Sequence, residues 1–126
     1  MGLIIKILVI IIAAFFALIG FLGLFQPAQL AETFGFGLAT PDALGNMRAM
    51  IGAHYVAMGA VCAFAVVRQQ PALLFPVGVI EAMMLISRGI AAVNGEFTNA
   101  AIGPTAIEIV ACTVLLSASW RTVMSR

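Results

Sequence analysis

The sequence predicts an all-α protein, an integral membrane four-helix bundle with a short interfacial helix between helices one and two. Hydrophobic residues make up 63% of the 126 residues and charged residues 9%, against roughly 45–50% and 25% in soluble domains. A chain this short cannot bury such an excess in a core of its own. Four apolar stretches also approach the length of about 20 residues that crosses a bilayer. We therefore expect residues 1–126 to form a single transmembrane domain, with helices over about 3–25, 46–67, 72–94 and 104–120.

The first predicted helix covers residues 3–25 and ends before Pro27. Its apolar run is longer than the roughly 7–15 residues typical of a signal peptide, so we expect a retained transmembrane helix. The long connection that follows carries Leu30 and Phe34, four residues apart. This spacing predicts a short helix lying on the membrane surface.

The second predicted helix covers residues 46–67, although Thr40 and Pro41 form a helix-start signal that would place its beginning near Pro41. Glycines recur every seven residues along it, which predicts close approach of a neighbouring backbone. The third helix follows over residues 72–94, and the fourth over 104–120 with a proline at its first position, where proline is favoured. The repeating glycines are Gly45, Gly52 and Gly59.

The charges of the termini and connections predict the orientation of the bundle. With four spans, the basic residues fall on one side, and the connections on the other side carry acids and no Lys or Arg. Because basic segments stay in the cytoplasm, we expect both termini to be cytoplasmic. The basic residues are Lys6, Arg68, Arg121 and Arg126, and the acids are Glu32, Asp42 and Glu96.

Two charges within the third and fourth helices fall at similar depth. Arg88 lies six residues before Asn94, about 9 Å from the outer end of its helix, and Glu108 lies about 6 Å down the next helix at 1.5 Å per residue. We therefore predict that Arg88 pairs with Glu108. Arg48, near the outer end of the second helix, is close enough to join them, or it extends to the lipid headgroups.

Glu81 is the deepest acid of the predicted bundle. A charge at the bilayer centre costs roughly 2.5–3.5 kcal/mol on insertion scales. Three arrangements would relieve this cost. Glu81 reaches Arg88, seven residues along the same helix face, or it bonds His54, about 12 Å down the second helix, or it stays protonated.

The candidate site is thus a polar cluster, and the sequence leaves its role open between fixing helix register, binding a ligand and handling protons. One His and two distant Cys give no metal-ligand spacing, and no catalytic or nucleotide-binding motif is present. We therefore expect no catalytic residues, no metal, no cofactor and no enzyme activity, and a net charge of +1 gives no reason to expect nucleic acid. The cluster comprises Arg48, His54, Glu81, Arg88 and Glu108.

The segments "FQPAQLAETFGFG" and "NMRAMIGAHYVAMG", together with "SRG" in the third helix and a Glu early in the fourth, resemble a bacterial family of small four-helix membrane proteins of unknown function. That family is in turn similar to the DoxX-like four-helix group. The resemblance covers nearly the whole chain, with Gly52-Ala53 standing where a Gly-Gly pair is expected. It implies the four-helix fold, a polar cluster and the bacterial inner (cytoplasmic) membrane, without an established activity. Its most specific residues are Pro27, Arg48, Gly52, Arg88 and Glu108.

Three functions remain open at this stage. In the first, the protein binds a lipid or quinone-like hydrophobic molecule, or acts as an accessory subunit of a larger membrane complex. Its partners are then membrane lipids and a hydrophobic small molecule, in a homo-oligomer or a membrane complex. In the second, it is a small proton-coupled transporter that uses Glu81. In the third, it is a membrane enzyme that modifies a lipid.

Overall fold

The computed structural model describes residues 1–37 and 40–124, and describes side chains as far as residue 120. The described residues are helical and form no strand, which confirms the all-α prediction. The α-helices are Leu3–Phe25, Pro27–Thr33, Pro41–Met47, His54–Val67, Leu74–Val93 and Asn99–Met124, with a π-helical turn at Arg48–Ala53 and a 3₁₀ turn at Pro71–Leu73.

Four helical stretches are long and apolar enough to cross a membrane. The first span matches its predicted bounds, and the third differs by one residue at each end. The second begins at Pro41, where the side chain of Thr40 accepts a hydrogen bond from the Ala43 N–H at 3.2 Å. The spans are Leu3–Phe25, Pro41–Val67, Pro71–Val93 and Asn99–Trp120, called the first to fourth spans below.

The fourth helix begins at Asn99, five residues before its predicted start. Pro104 therefore lies inside the helix rather than at its first position. Because Pro104 has no N–H, it cannot donate the usual helix bond to the carbonyl of Ala100, which lies in the first turn of the helix. The next side chain, Thr105, donates its hydroxyl to the Ala101 carbonyl at 2.7 Å.

The first and second spans form a tight pair because glycine allows their backbones to meet. A Cβ atom added to Gly52 would lie 2.7 Å from the backbone nitrogen of Leu24, and one added to Gly59 would lie 2.9 Å from the carbonyl oxygen of Ala13. Gly45 has no atom within 4 Å of such a Cβ. Two of the three repeating glycines therefore make the predicted close approach.

The third and fourth spans form a second tight pair, and contacts between the two pairs are sparser. A Cβ on Gly78 would lie 2.7 Å from a methyl carbon of Leu116. All four spans still contribute to one buried core, in which Phe16, Cys62, Leu74 and Leu115 are almost fully enclosed.

The predicted short helix is present at Pro27–Thr33. Its Leu30 and Ala31 side chains are buried against Met47 of the second span, so its apolar side contacts the bundle. The turn that follows the helix contains Gly35, whose φ of +72° is readily adopted only by glycine. The turn is closed by a hydrogen bond from the Phe36 N–H to the Ala31 carbonyl at 2.8 Å.

Candidate functional site

A cavity of about 460 Å³ lies among the spans, at the end of the bundle where the first and third connections meet. Residues of these connections, including Phe36 and Glu96, line one end of the cavity. Its walls are largely apolar, with Phe16 and Ile19 on the first span and Ile107 on the fourth. The four spans contribute four polar side chains to the lining: Tyr55, Glu81, Arg88 and Glu108.

Arg88 and Glu108 form the predicted ion pair between the third and fourth spans. Arg88 donates from Nε to Glu108 Oε2 at 3.2 Å and from Nη2 to Oε1 at 2.9 Å. This two-point geometry is the strongest that the two groups can adopt. The side chains are 35% and 7% exposed respectively, so the carboxylate is the more deeply enclosed partner. The pair fixes the two helices in register on one wall of the cavity.

Glu81 is buried, with 1% of its surface exposed, and it lines the same cavity. It lies on one helix face with Met84 and Arg88, at spacings of three and four residues. Its Oε1 atom has no hydrogen-bond partner among the described residues. A buried polar atom without a partner is rare in proteins and costs free energy. Glu81 is therefore the group in this cavity that is equipped to accept a bond from a bound molecule.

Two of the three arrangements expected for Glu81 are not formed. Arg88 bonds Glu108 rather than Glu81. His54 lies on an exposed face of the second span, outside the cavity, so the prediction that it belongs to the polar cluster is wrong. The third arrangement, a protonated Glu81, stays a prediction.

Arg48 does not join the ion pair, so the first of the two arrangements expected for it is not formed. It is exposed, and its Nη1 donates to the Leu24 carbonyl at the end of the first span. The last carbonyls of a helix lack partners within the helix and attract cations. Arg48 therefore ties the beginning of the second span to the end of the first.

Tyr55 lines the cavity, although the sequence did not single it out as a site residue. Its ring meets Phe16 edge-on at 5.5 Å between centroids, and its hydroxyl lies 3.8 Å from Met84 Sδ. The available signal was its spacing of three from Gly52 and four from Gly59, which puts it on the glycine face of the second span.

The arrangement suits recognition of an amphipathic molecule. Among residues 1–37 and 40–124, no three His, Cys, Asp or Glu side chains gather where they could hold a metal ion. The cavity offers apolar surface for a hydrophobic body, and its polar groups offer an acceptor at Glu81 and donors at Arg88 and Tyr55.

Comparison with known proteins gives one match. The model of a family described as a domain of unknown function, DUF4345, matches residues 4–119. No curated protein and no solved structure matches the chain. The predicted relationship to a family of unknown function is confirmed, whereas the likeness to DoxX-like proteins stays a prediction.

Proposed function

The chain belongs to the DUF4345 family, and we propose that it is a small multi-pass membrane protein that binds one lipid-like or quinone-like molecule in the cavity beside Glu81, without catalysing a reaction. One observation carries the proposal. Glu81 Oε1 is buried and has no partner among the residues that the structure describes, in a cavity whose walls are mainly apolar. The volume of about 460 Å³ falls within the roughly 300–1,000 Å³ of small-molecule sites.

The chemistry of the cavity supports an amphipathic ligand over a purely apolar one. A hydrocarbon gains little by leaving the bilayer, because lipid tails are as apolar as leucine side chains. A polar group in the cavity gains a bond to Glu81, because no described residue bonds its Oε1 atom. The selective part of the ligand is therefore its polar end.

The resemblance to a bacterial family supports a location in the inner membrane, and the charge pattern supports an orientation with both termini in the cytoplasm. Lys6 and Arg68 belong to the side that holds the termini, and Glu32 and Glu96 belong to the other. The positions of Arg121 and Arg126 in the sequence support the same orientation, but the Arg121 side chain and all of Arg126 lie outside the described residues. In this orientation the cavity lies in the outer half of the bundle.

The proposal is tested by replacing Glu81 and measuring the ligand that co-purifies with the protein. In the Glu81→Leu variant we expect roughly tenfold less retained ligand, because leaving the buried polar end of the ligand without its partner costs about 1–3 kcal/mol. We expect its melting temperature to be equal or higher, since an apolar side chain removes the unpaired oxygen. The measurements are native mass spectrometry with lipid extraction, and thermal unfolding in mild detergent.

Arg48→Ala is the matched control, because it removes a charge outside the cavity and should leave ligand retention unchanged. Full retention of ligand in Glu81→Leu would contradict the proposal. Proton-coupled transport would instead be favoured if the wild-type protein carried the co-purified ligand into liposomes in a pH-dependent way and Glu81→Gln did not.

A further inference from the structure

A second depression, a crevice of about 350 Å³, lies between the first and fourth spans. All the side chains that line it are apolar. Ile11 on the first span and Val110 on the fourth are 59% and 55% exposed, so the crevice opens on the side of the bundle, between two spans. That surface meets hydrocarbon when the spans cross a bilayer.

The crevice and the cavity are neighbours. Phe15, Phe16 and Ile107 line both of them, so these three side chains form a common wall. Glu81 lies on the cavity side of this wall, and lipid lies on the crevice side. A chain that displaces these side chains would pass from the cavity beside Glu81 into the crevice and on to the bilayer, whereas residues of the connections line another part of the cavity.

The size of the crevice suits one hydrocarbon chain. Its volume of about 350 Å³ corresponds to roughly a dozen groups the size of a water molecule, at about 30 Å³ each. A methylene group is of similar size. The crevice adds little affinity, because a chain is equally well accommodated in lipid. Its effect is steric: it gives the chain a way out of the cavity while the polar end stays inside.

We infer that the site takes a single-chain amphipathic molecule whose hydroxyl-bearing head lies beside Glu81 and whose hydrocarbon chain passes between the first and fourth spans into the bilayer. The inference rests on the proposed ligand binding in the cavity and names the class of ligand. The head donates to Glu81 Oε1, which has no partner among the described residues. The chain takes the apolar crevice that shares the wall of the cavity.

The test uses two probes that share a glycerol head and differ in chain length, monolaurin and monobutyrin. Ala106 lines the crevice and has a small, exposed side chain, so Ala106→Trp fills the crevice from its outer side. Ile109→Trp is the matched control, because Ile109 is exposed on the same helix and lines neither depression. Binding of each probe to the detergent-solubilised full chain is measured by native mass spectrometry.

We expect Ala106→Trp to weaken monolaurin binding by roughly tenfold or more. Monobutyrin binding should stay within about twofold of the wild-type value, since its short chain fits inside the cavity. Ile109→Trp should bind both probes as the wild type does. Equal binding of monolaurin to Ala106→Trp and wild type, with monobutyrin still bound, would overturn the path of the chain and leave the cavity proposal intact. Failure of both probes to bind the wild-type protein would overturn the inference and weaken the cavity proposal with it.

A second measurement does not depend on the folding of a variant. Monolaurin carrying a diazirine at the end of its chain is photolysed on wild-type protein, and the adducts are located by peptide mass spectrometry. We expect adducts at Ile11, Ala106 or Val110, which line the crevice. Adducts confined to the connections, near Phe36 or Glu96, would show that the chain leaves on the side of the connections and would overturn the inference.

Discussion

Glu108 is more deeply buried than Arg88, to which it is bonded, with side-chain exposures of 7% and 35%. Loss of Arg88 would leave a carboxylate enclosed without a partner. Loss of Glu108 would leave a long side chain near the end of the third span, where it can extend towards the headgroups. The two truncations therefore have unequal consequences, although they remove the same bond.

We expect Arg88→Ala to lower the free energy of unfolding by about 3 kcal/mol, the lower end for breaking a buried pair, and Glu108→Ala to lower it by about half as much, because the exposed arginine regains solvation. The double variant Arg88→Ala/Glu108→Ala should be more stable than Arg88→Ala alone. Denaturant or thermal unfolding in detergent measures all three. Equal losses in the two single variants would contradict the difference in burial.

The depths of the charged residues could be predicted from sequence, because each helical residue adds about 1.5 Å along the axis. This is why the Arg88–Glu108 pair was found. The direction in which a side chain points is harder to derive. The π-helical turn at Arg48–Ala53 holds more residues per turn than an α-helix, so angles derived from 3.6 residues per turn do not carry through it. Arg48 begins this turn and His54 directly follows it, and these are the two predicted members of the polar cluster that lie outside the cavity.

At the level of helices, the glycines of the second span divide into two kinds. Gly52 sits where a side chain would collide with the backbone of the first span, and Gly45 faces open space. The same substitution at the two positions should therefore have opposite effects.

We expect Gly52→Ala to destabilise the bundle by about 1–3 kcal/mol, because the rigid backbones must separate to admit the methyl group. Gly45→Ala should leave stability unchanged or raise it by up to about 1 kcal/mol, since alanine favours the helix. Thermal unfolding of the two variants side by side gives the comparison. If Gly45→Ala is as damaging as Gly52→Ala, the close approach at Gly52 is not what holds the first two spans together.

The number and approximate positions of the helices followed from the lengths of the apolar runs, because a bilayer requires about 20 apolar residues per helix. The start of the fourth helix could not be predicted from the length of its apolar run. Pro104 is compatible both with the first position of a helix and with a later position in its first turns, and the local pattern does not distinguish them. The cavity also could not be derived, since its walls come from segments far apart in the chain, such as Phe16 and Ile107.

For the whole molecule, the proposed orientation predicts which connections can be reached from outside the cell. Glu96 and Gln70 are both exposed, in the third and second connections respectively. Cys62 and Cys112 are free thiols and are first replaced by alanine. We expect Glu96→Cys to react with a membrane-impermeant maleimide on intact cells, and Gln70→Cys to react only after the membrane is opened, because basic connections stay inside. If Gln70→Cys reacted on intact cells and Glu96→Cys did not, the protein would have the opposite topology.

The bond between the third and fourth spans also has a consequence for biosynthesis. The third span leaves the ribosome with Arg88 and Glu81 before Glu108 has been made, and its mean hydropathy of 1.7 is well below the 3.0 of the first span. A single charge costs roughly 2.5–3.5 kcal/mol at the translocon, so the nascent third helix is a poor candidate for release into lipid by itself. The fourth helix supplies the missing counter-ion. We therefore expect the third and fourth spans to insert together, as one helical hairpin.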